Sequence, residues 1–358
     1  MNPITVASSS IKGTPDSCAR FPGVARIADG TLVMHYDDGE SVDSVRHQMR
    51  IAISTDNGRS WNDGGIMYDA AALGLPHLFT ENCKPTAVGG QELVSIGFGF
   101  ERDEPGLGLA AYAEKHGHFP KGHNTFSRST DGGKSWSLPS FISHDYAALE
   151  FSGPALWCAP EETLLAFGPP FVLKGSRQRG LCFASTDRGV TWQERSTFFH
   201  SEKIAPWEVR SLRMSTNGRI WLIMWAYDLE KGIHLNNHLI CSDDLGYTWS
   251  EPLDSGVRGQ AANLFEMDGV PWILYTKREG DDPGIYCVPA DNPANPVTLW
   301  TSAIPGTDGS SIIQQFHNLK FGQPSMTPLG NGEWLLAFWS CSEADGYAVR
   351  TKIIRFHP

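Results

Sequence analysis

Apolar segments along this chain come in pairs, and a short polar turn that contains glycine or a similar turn residue joins the two members. Six such pairs begin at Arg20, Lys84, Gly153, Trp207, Gln260 and Gln323. Short apolar runs bounded by turn residues are typical of strands, and two in succession are typical of a hairpin. The pattern therefore predicts six hairpins in an all-β chain without long helices.

A second repeat lies out of phase with the hairpins. Its form is S-x-D-x-G-x-[ST]-W, and it occurs at residues 54–61, 129–136, 185–192 and 242–249. Asp accepts hydrogen bonds from the backbone that follows it, Gly supplies a positive φ, and Trp supplies a large apolar side chain. We therefore interpret its Asp residues as turn residues without a catalytic role. Internal repeats of this kind favour an array or a propeller.

The eight-residue repeat resembles the Asp-box (BNR repeat), and the whole chain resembles the sialidase (neuraminidase) superfamily. The resemblance implies a six-bladed β-propeller with four-stranded antiparallel blades, in which each box joins the third and fourth strands. Each predicted hairpin would then form the first two strands of a blade, and the start of the first strand would face the mouth of the central channel. We expect one propeller domain over residues 1–358, with residues 4–7 as the outer strand of the last blade, because an open sheet edge must be covered.

The charge balance bears on the partners of the protein. Forty acidic residues outnumber 29 basic ones, the net charge is −11, and no run of Lys or Arg occurs. This argues against nucleic acid and against anionic membrane surfaces as partners. Seven scattered cysteines favour free thiols and a reducing compartment. No stretch resembles a membrane span or a signal peptide, so we expect a cytoplasmic protein, and no motif indicates a metal or a cofactor.

The resemblance also implies candidate site residues. Sialidases clamp the substrate carboxylate with three arginines, and the first of these belongs to an Arg-Ile-Pro motif that Arg20-Phe21-Pro22 matches here. A guanidinium group suits this task because it binds a carboxylate through two parallel hydrogen bonds. The acid/base Asp of the family lies on a loop before the first box, where Asp43 stands, with Asp37 and Asp38 as nearby rivals.

Blades four to six supply further candidates and two departures from the family. The family's Glu that polarises a Tyr nucleophile corresponds by strand register to Glu208, for which Arg210 is an alternative, purely structural partner. The Tyr itself corresponds to Gln323, and glutamine cannot act as that nucleophile. The second clamp arginine is expected near Trp225 and is absent, whereas Arg278 is a candidate for the third.

These residues predict a polar funnel at the channel mouth. Its substrate-binding side chains would be Arg20, His47, Gln260, Arg278 and Gln323. Asp43 and Glu208 could serve as acid and base in an inverting hydrolysis if their carboxyl groups lie roughly 6.5–9.5 Å apart. We therefore expect a glycoside hydrolase that acts on a terminal, possibly acidic, sugar and that has diverged from sialidases.

Two alternatives stay open at this point. In the first, a histidine and an arginine carry out β-elimination on a uronate-containing oligosaccharide. The histidines considered for this role are His35, His47, His123, His234 and His238. In the second, the protein is a non-catalytic glycan-binding propeller. Convergent carboxylates would favour hydrolysis, a His–Arg pair would favour elimination, and an apolar or filled mouth would favour binding alone.

Overall fold

The chain forms six antiparallel sheets arranged as the blades of a β-propeller, which confirms the predicted fold class. A computed structural model describes residues 2–40, 47–74, 78–104, 107–172, 176–307 and 318–357. The first strands of the blades contact one another in chain order, and the first strand of blade six contacts that of blade one, so that the ring closes.

The first strand of the chain lies at the outer edge of blade six. The strands that follow form blades one to six in order, each blade from its inner strand outwards. The chain begins with β1 (Asn2–Ile11), which belongs to blade six. Blade one consists of β2 (Cys18–Arg26), β3 (Leu32–Gly39), β4 (Gln48–Ser54) and β5 (Asn62–Ile66). Blade two consists of β6 (Leu78–Gly89), β7 (Glu92–Glu101), β8 (Gly122–Ser129) and β9 (Ser140–Ile142). Blade three consists of β10 (Leu156–Cys158), β11 (Thr163–Gly168), β12 (Gln178–Ser185) and β13 (Gln193–Ser201).

The remaining blades repeat this arrangement. Blade four consists of β14 (Ile204–Arg213), β15 (Ile220–Asp228), β16 (Ile233–His234), β17 (His238–Ser242) and β18 (Leu253–Asp254). Blade five consists of β19 (Gln260–Met267), β20 (Val270–Lys277), β21 (Gly284–Pro289) and β22 (Val297–Thr301). Blade six consists of β23 (Phe321–Gly330), β24 (Glu333–Ser342), β25 (Gly346–His357) and β1.

Strand β1 covers the outer edge of blade six. It pairs antiparallel with β25, with Ile4 opposite Arg355 and Ile11 opposite Val349. The predicted outer strand is thus confirmed. The helical elements among the described residues are short: α1 (Leu109–His116) and the 3₁₀ turns Ala70–Leu73 and Ala159–Glu161. Within the described ranges, none of the helices has the length and apolar character needed to cross a membrane.

The four copies of the eight-residue repeat are turns between the third and fourth strands of blades one to four. In the second copy the Ser129 hydroxyl donates to Asp131 Oδ1 (2.8 Å) and accepts the N–H of Gly133 (3.0 Å). Asp131 in turn accepts the N–H (3.0 Å) and the hydroxyl (2.6 Å) of Ser135. The other copies repeat these bonds, and in the first copy hydrogen bonds from Ser60 lower the pKa of Asp56 to about 2.

The glycine of each repeat also sets the distance between neighbouring blades. A Cβ atom built on Gly189 of blade three would lie 2.0 Å from the ring of Phe126 in blade two. The same close approach occurs at Gly133, where a Cβ would lie 2.7 Å from Val33 of blade one. The repeat therefore acts in two ways, since it closes a hairpin and brings its backbone against the core of the preceding blade.

Replacement of this glycine tests its packing role. We expect Gly189→Ala to lower the free energy of unfolding by about 2–4 kcal/mol, because alanine is strained at φ 91° and its Cβ would overlap Phe126. Urea denaturation followed by tryptophan fluorescence measures the loss. Gly330→Ala is the matched control, since φ is 87° and nothing lies within 4 Å of the new Cβ. Equal losses in the two variants would contradict the packing role.

Candidate functional site

The first strands of five blades, all except blade three, share a β-bulge. The pairing register with the second strand shifts at Arg20/Gly23, Glu81/Lys84, Trp207/Arg210, Gln260/Asn263 and Gly322/Ser325. Four residues in these bulges have a left-handed backbone: Phe21 (φ 52°), Glu208 (53°), Ala261 (47°) and Gln323 (46°). Such conformations cost about 1–3 kcal/mol each, and outside turns they often mark functional sites. A bulge also turns a side chain out of the regular alternation of the strand.

The bulges of blades four and six bring Glu208 and Gln323 together. Gln323 Nε2 lies 2.8 Å from both Glu208 Oε1 and Glu208 Oε2, so the amide group donates to the carboxylate. Arg210 Nη2 donates to Glu208 Oε2 at 2.8 Å, and Arg210 Nη1 also donates to the hydroxyl of Ser152. All of these side chains are buried. Glu208 is therefore an ionic and hydrogen-bonded centre, and Arg210 is its partner as the alternative interpretation stated.

A second carboxyl group, Glu150, lies beside Glu208. Burial and the negative charge of Glu208 raise the pKa of Glu150 well above its usual value. Its backbone is fixed, because the N–H of Glu150 donates to the carbonyl of Pro169 at 2.8 Å. The sequence interpretation missed Glu150. The available signal was a single charged residue within the small and apolar segment 147–151, directly before the start of blade three.

Lys84 is a buried lysine in the bulge of blade two. Its side chain runs along Gly23, where a Cβ would lie 3.0 Å from three carbon atoms of the lysine. The Nζ atom donates to the carbonyl of Phe21 at 3.1 Å. Burial and the nearby positive charge of Arg210 lower the pKa of Lys84 to about 7. From the sequence, Lys84 marks only the start of a hairpin, because its neighbours belong to other blades.

Arg278 and Gln260, two of the candidates from the sequence, lie in contact with each other. Arg278 Nε donates to the carbonyl of Phe321 at 2.7 Å, and Arg278 Nη1 donates to Gln260 Oε1. Burial lowers the pKa of Arg278 to about 10 against the opposing effect of Glu208. Gly322 leaves room for this arginine, since a Cβ there would lie 2.0 Å from Arg278 Nη2.

The candidates of blade one are enclosed in the protein. Arg20 is 1% exposed, and its Cζ lies 4.3 Å from the ring centroid of Phe21. Asp37 lies opposite Arg20 in the pairing of β2 with β3, and its negative charge partly opposes the lowering of the pKa of Lys84. Asp38 lies 4.0 Å from Arg50, and burial raises its pKa. His47 is buried against Gly39 at the end of β3. Asp43 lies outside the described residues.

Of the histidines considered for elimination, His35 and His123 lie in blades one and two, whereas His234 Nε2 lies 3.3 Å from Gln260 Nε2. His35 is fully buried in the core of blade one, its Nδ1 lies 3.2 Å from Ser95 Oγ, and burial lowers its pKa to about 3. His123 pairs with Glu101 at 2.8 Å. Across the described part of the chain, no histidine lies within hydrogen-bond distance of Glu208 or Glu150. The same residues contain no group of three side chains suited to hold a metal ion.

Comparisons with known proteins agree on the fold. No protein-family model matches the sequence, and no curated protein matches it. A structure of a protein of unknown function from Dyadobacter fermentans superposes with a TM-score of 0.75 at 16% identity, over 99% of this chain and 100% of that one. A Hadza microbial sialidase gives 0.63 at 16% identity, over 94% of this chain and 65% of that one.

Glycoside hydrolases other than sialidases share the same architecture. An α-L-arabinanase from Penicillium chrysogenum, solved with arabinobiose, gives a TM-score of 0.61 at 12% identity, over 99% of this chain and 98% of that one. At these identities the likeness shows the fold alone. The propeller of this chain is thus one that sialidases and arabinanases also use.

The unusual pKa of Lys84 predicts a pH-dependent stability. Between pH 7 and 10.5 the unfolded chain holds the lysine proton that the folded chain has released. The reason is that the pKa of Lys84 is about 7 in the folded protein, whereas the ordinary pKa of lysine is 10.5. The free energy of unfolding should therefore rise with pH in this window by up to about 1.4 kcal/mol per pH unit from this group. Lys84→Met should lack that contribution.

Urea denaturation at pH 7, 8 and 9 measures the two slopes. Lys203→Met is the control, because Lys203 lies on the surface and pairs with Glu230. That variant should keep the slope of the wild type. If Lys84→Met kept it as well, the lowered pKa of Lys84 would be wrong.

Proposed function

We propose that the protein is a glycoside hydrolase that removes a terminal sugar and uses Glu150 and Glu208 as its carboxyl pair. One observation carries the proposal: two neighbouring carboxyl groups in the channel have opposite environments. Glu208 receives hydrogen bonds from the charged Arg210 and from Gln323. Glu150 has a raised pKa, which favours its protonated form. Such a difference between two carboxyl groups assigns the acid and base roles of a glycosidase.

The reaction follows from these two states. Glu150 would donate its proton to the glycosidic oxygen, and the bond from that oxygen to the anomeric carbon would break. Glu208 would either attack the anomeric carbon or take a proton from a water molecule that attacks it. Gln323 cannot act as a nucleophile, so its role would be to hold the Glu208 carboxylate in position. The stereochemical outcome depends on the separation of the two carboxyl groups in the complex with substrate.

The charge of the channel supports an acidic sugar as the substrate. The channel contains the buried guanidinium groups of Arg20, Arg210 and Arg278 in a protein whose net charge is −11. The fold that the chain shares with a sialidase and an arabinanase supports a glycoside more generally. Sialic acid itself is a weaker candidate, because Gln323 replaces the Tyr nucleophile and no arginine stands at Trp225. Hydrolysis is favoured over elimination because two carboxyl groups converge here, while no histidine of the described residues lies within hydrogen-bond distance of either.

Replacement of Glu208 tests the role of the carboxylate. On a panel of fluorogenic exo-glycosides that includes sialosides and uronides, we expect Glu208→Gln to reduce kcat by about 10²–10⁴-fold. Glu194→Gln is the control, because Glu194 pairs with Arg179 on an outer strand. An active enzyme that tolerates Glu208→Gln would contradict the assignment, and a wild type without activity on any glycoside would count against hydrolysis.

Replacement of Glu150 tests the role of the acid. Glu150→Gln should slow the release of poor leaving groups by about 10²–10⁴-fold and should spare dinitrophenyl leaving groups, which need no proton. It should also remove the loss of activity that deprotonation of Glu150 causes at high pH. Asp43→Asn, measured beside it, decides between the two candidate acids. If only Asp43→Asn showed this dependence on the leaving group, Glu150 would not be the acid.

A further inference from the structure

A cavity of about 590 Å³ opens between blades four and five, next to the site just described. Its walls come from β16, β19 and β20 and from the segments that flank them. The polar and aromatic side chains that line it include His234, Arg258, Gln260, Tyr275, Lys277 and Arg278. Gln260 and Arg278 also belong to the site described above, so the cavity adjoins that site.

A chain of hydrogen bonds crosses the wall of this cavity and has a donor at each end. At one end the indole Nε1–H of Trp225 donates to Nδ1 of His234 at 2.9 Å. At the other end Arg278 donates to Oε1 of Gln260. Between them, His234 Nε2 and Gln260 Nε2 lie 3.3 Å apart. Trp and Arg side chains can only donate, so the directions of the two outer bonds are fixed.

These directions make both central atoms donors. A neutral imidazole that accepts at Nδ1 carries its proton on Nε2. An amide that accepts at Oε1 offers its N–H groups from Nε2. His234 and Gln260 therefore present N–H groups to each other and to the cavity that both line. Two donors thus face each other, which is unfavourable. Rotation of the Gln260 amide by 180° does not remove this conflict between donors, because it would place the NH₂ group against the Arg278 guanidinium.

The charge of the cavity indicates which acceptor suits these donors. Three cationic side chains line it, Arg258, Lys277 and Arg278, against one carboxylate, Glu279. Glu279 lies 3.6 Å from Arg258. An oxygen with negative charge is the strongest acceptor for two converging N–H groups in such surroundings. The rings of Tyr275 and Tyr286 also line the cavity and stack with centroids 5.8 Å apart, which provides an apolar wall for a sugar ring.

We propose that this cavity is a uronate subsite, in which His234 Nε2–H and Gln260 Nε2–H both donate to one carboxylate oxygen of the substrate. The subsite rests on the proposed function in that the carboxylate belongs to a sugar of the glycoside. Arg258 and Lys277 supply the compensating positive charge, and the tyrosines contact the ring. Neutral sugars of the same size lack the anionic oxygen and bind more weakly.

Binding is measured on the Glu208→Gln background, so that the result does not depend on catalysis. Glucuronate and galacturonate, each beside neutral glucose and galactose, are titrated at pH 7 while the imidazole signals of His234 are followed by NMR. At least one uronate should shift these signals and bind roughly tenfold more tightly than its neutral counterpart. Equal binding of acidic and neutral sugars, or no shift at His234 with either uronate, would overturn the subsite.

Gln260→Glu gives an independent test with a readout on the protein itself. The new carboxylate would accept from both Arg278 and His234, which removes the conflict between donors and places a negative charge at the subsite. We expect a higher Tm and a higher pKa of His234 than in the parent protein. We also expect the affinity for uronate to fall by at least roughly tenfold. An unchanged Tm with unchanged uronate affinity would contradict the proposal.

Two lysine variants test whether positive charge at the cavity contributes to uronate binding. Lys277→Met should weaken uronate binding, and Lys203→Met, which removes an exposed lysine bound to Glu230, should not. These experiments can reject the subsite and the proposed function independently of each other. Uronate binding without glycosidase activity would leave the subsite intact and would reject the hydrolase, whereas activity without selective binding would reject only the subsite.

Discussion

A carboxylate that is buried among packed blades must be compensated, and the way in which Glu208 is compensated determines much of the channel. Removal of an ion from water costs several kcal/mol unless partners replace its hydration. Glu208 obtains one of these partners, Arg210, from its own strand and the other, Gln323, from blade six. The resulting network ties blade four to blade six across the axis. It also leaves Glu150 in a place where a second negative charge is unfavourable. One buried ion thus creates the acid and base difference on which the proposed chemistry depends.

Local backbone geometry makes this arrangement possible. The left-handed residues in the bulges of the first strands direct side chains towards the axis that a regular strand would direct elsewhere. Glycines then leave room for the long cations, as Gly23 does for Lys84 and Gly322 does for Arg278. The strain of the bulges is offset by the packing of the blades, to which the glycines of the eight-residue repeat contribute. The packing of the repeat turns at the outer part of the blades thus helps to offset the strain in the bulges of the first strands.

The sequence predicted the fold from local patterns, and it predicted the site only in part. Hairpins and repeat turns involve residues close in sequence, so their spacing is readable without a structure. Glu208, Gln323 and Gln260 were placed by their register near the starts of first strands, and Arg278 was a candidate from a looser register after the second strand of blade five. In the structure Gln323 donates to Glu208 and Arg278 donates to Gln260. Glu150 and Lys84 were missed because their environment comes from other blades. The proximity of Glu150 to Glu208 depends on how two blades pack, which no local pattern reports.

The most direct test of the central claim is a crystal structure of the Glu150→Gln variant with an uncleaved glycoside bound. The account predicts that the terminal sugar lies in the channel, with its glycosidic oxygen within hydrogen-bond distance of residue 150. The anomeric carbon should face Glu208, either directly or through one water molecule. A glycoside bound elsewhere on the propeller, or one whose glycosidic oxygen faces neither carboxyl position, would contradict the account.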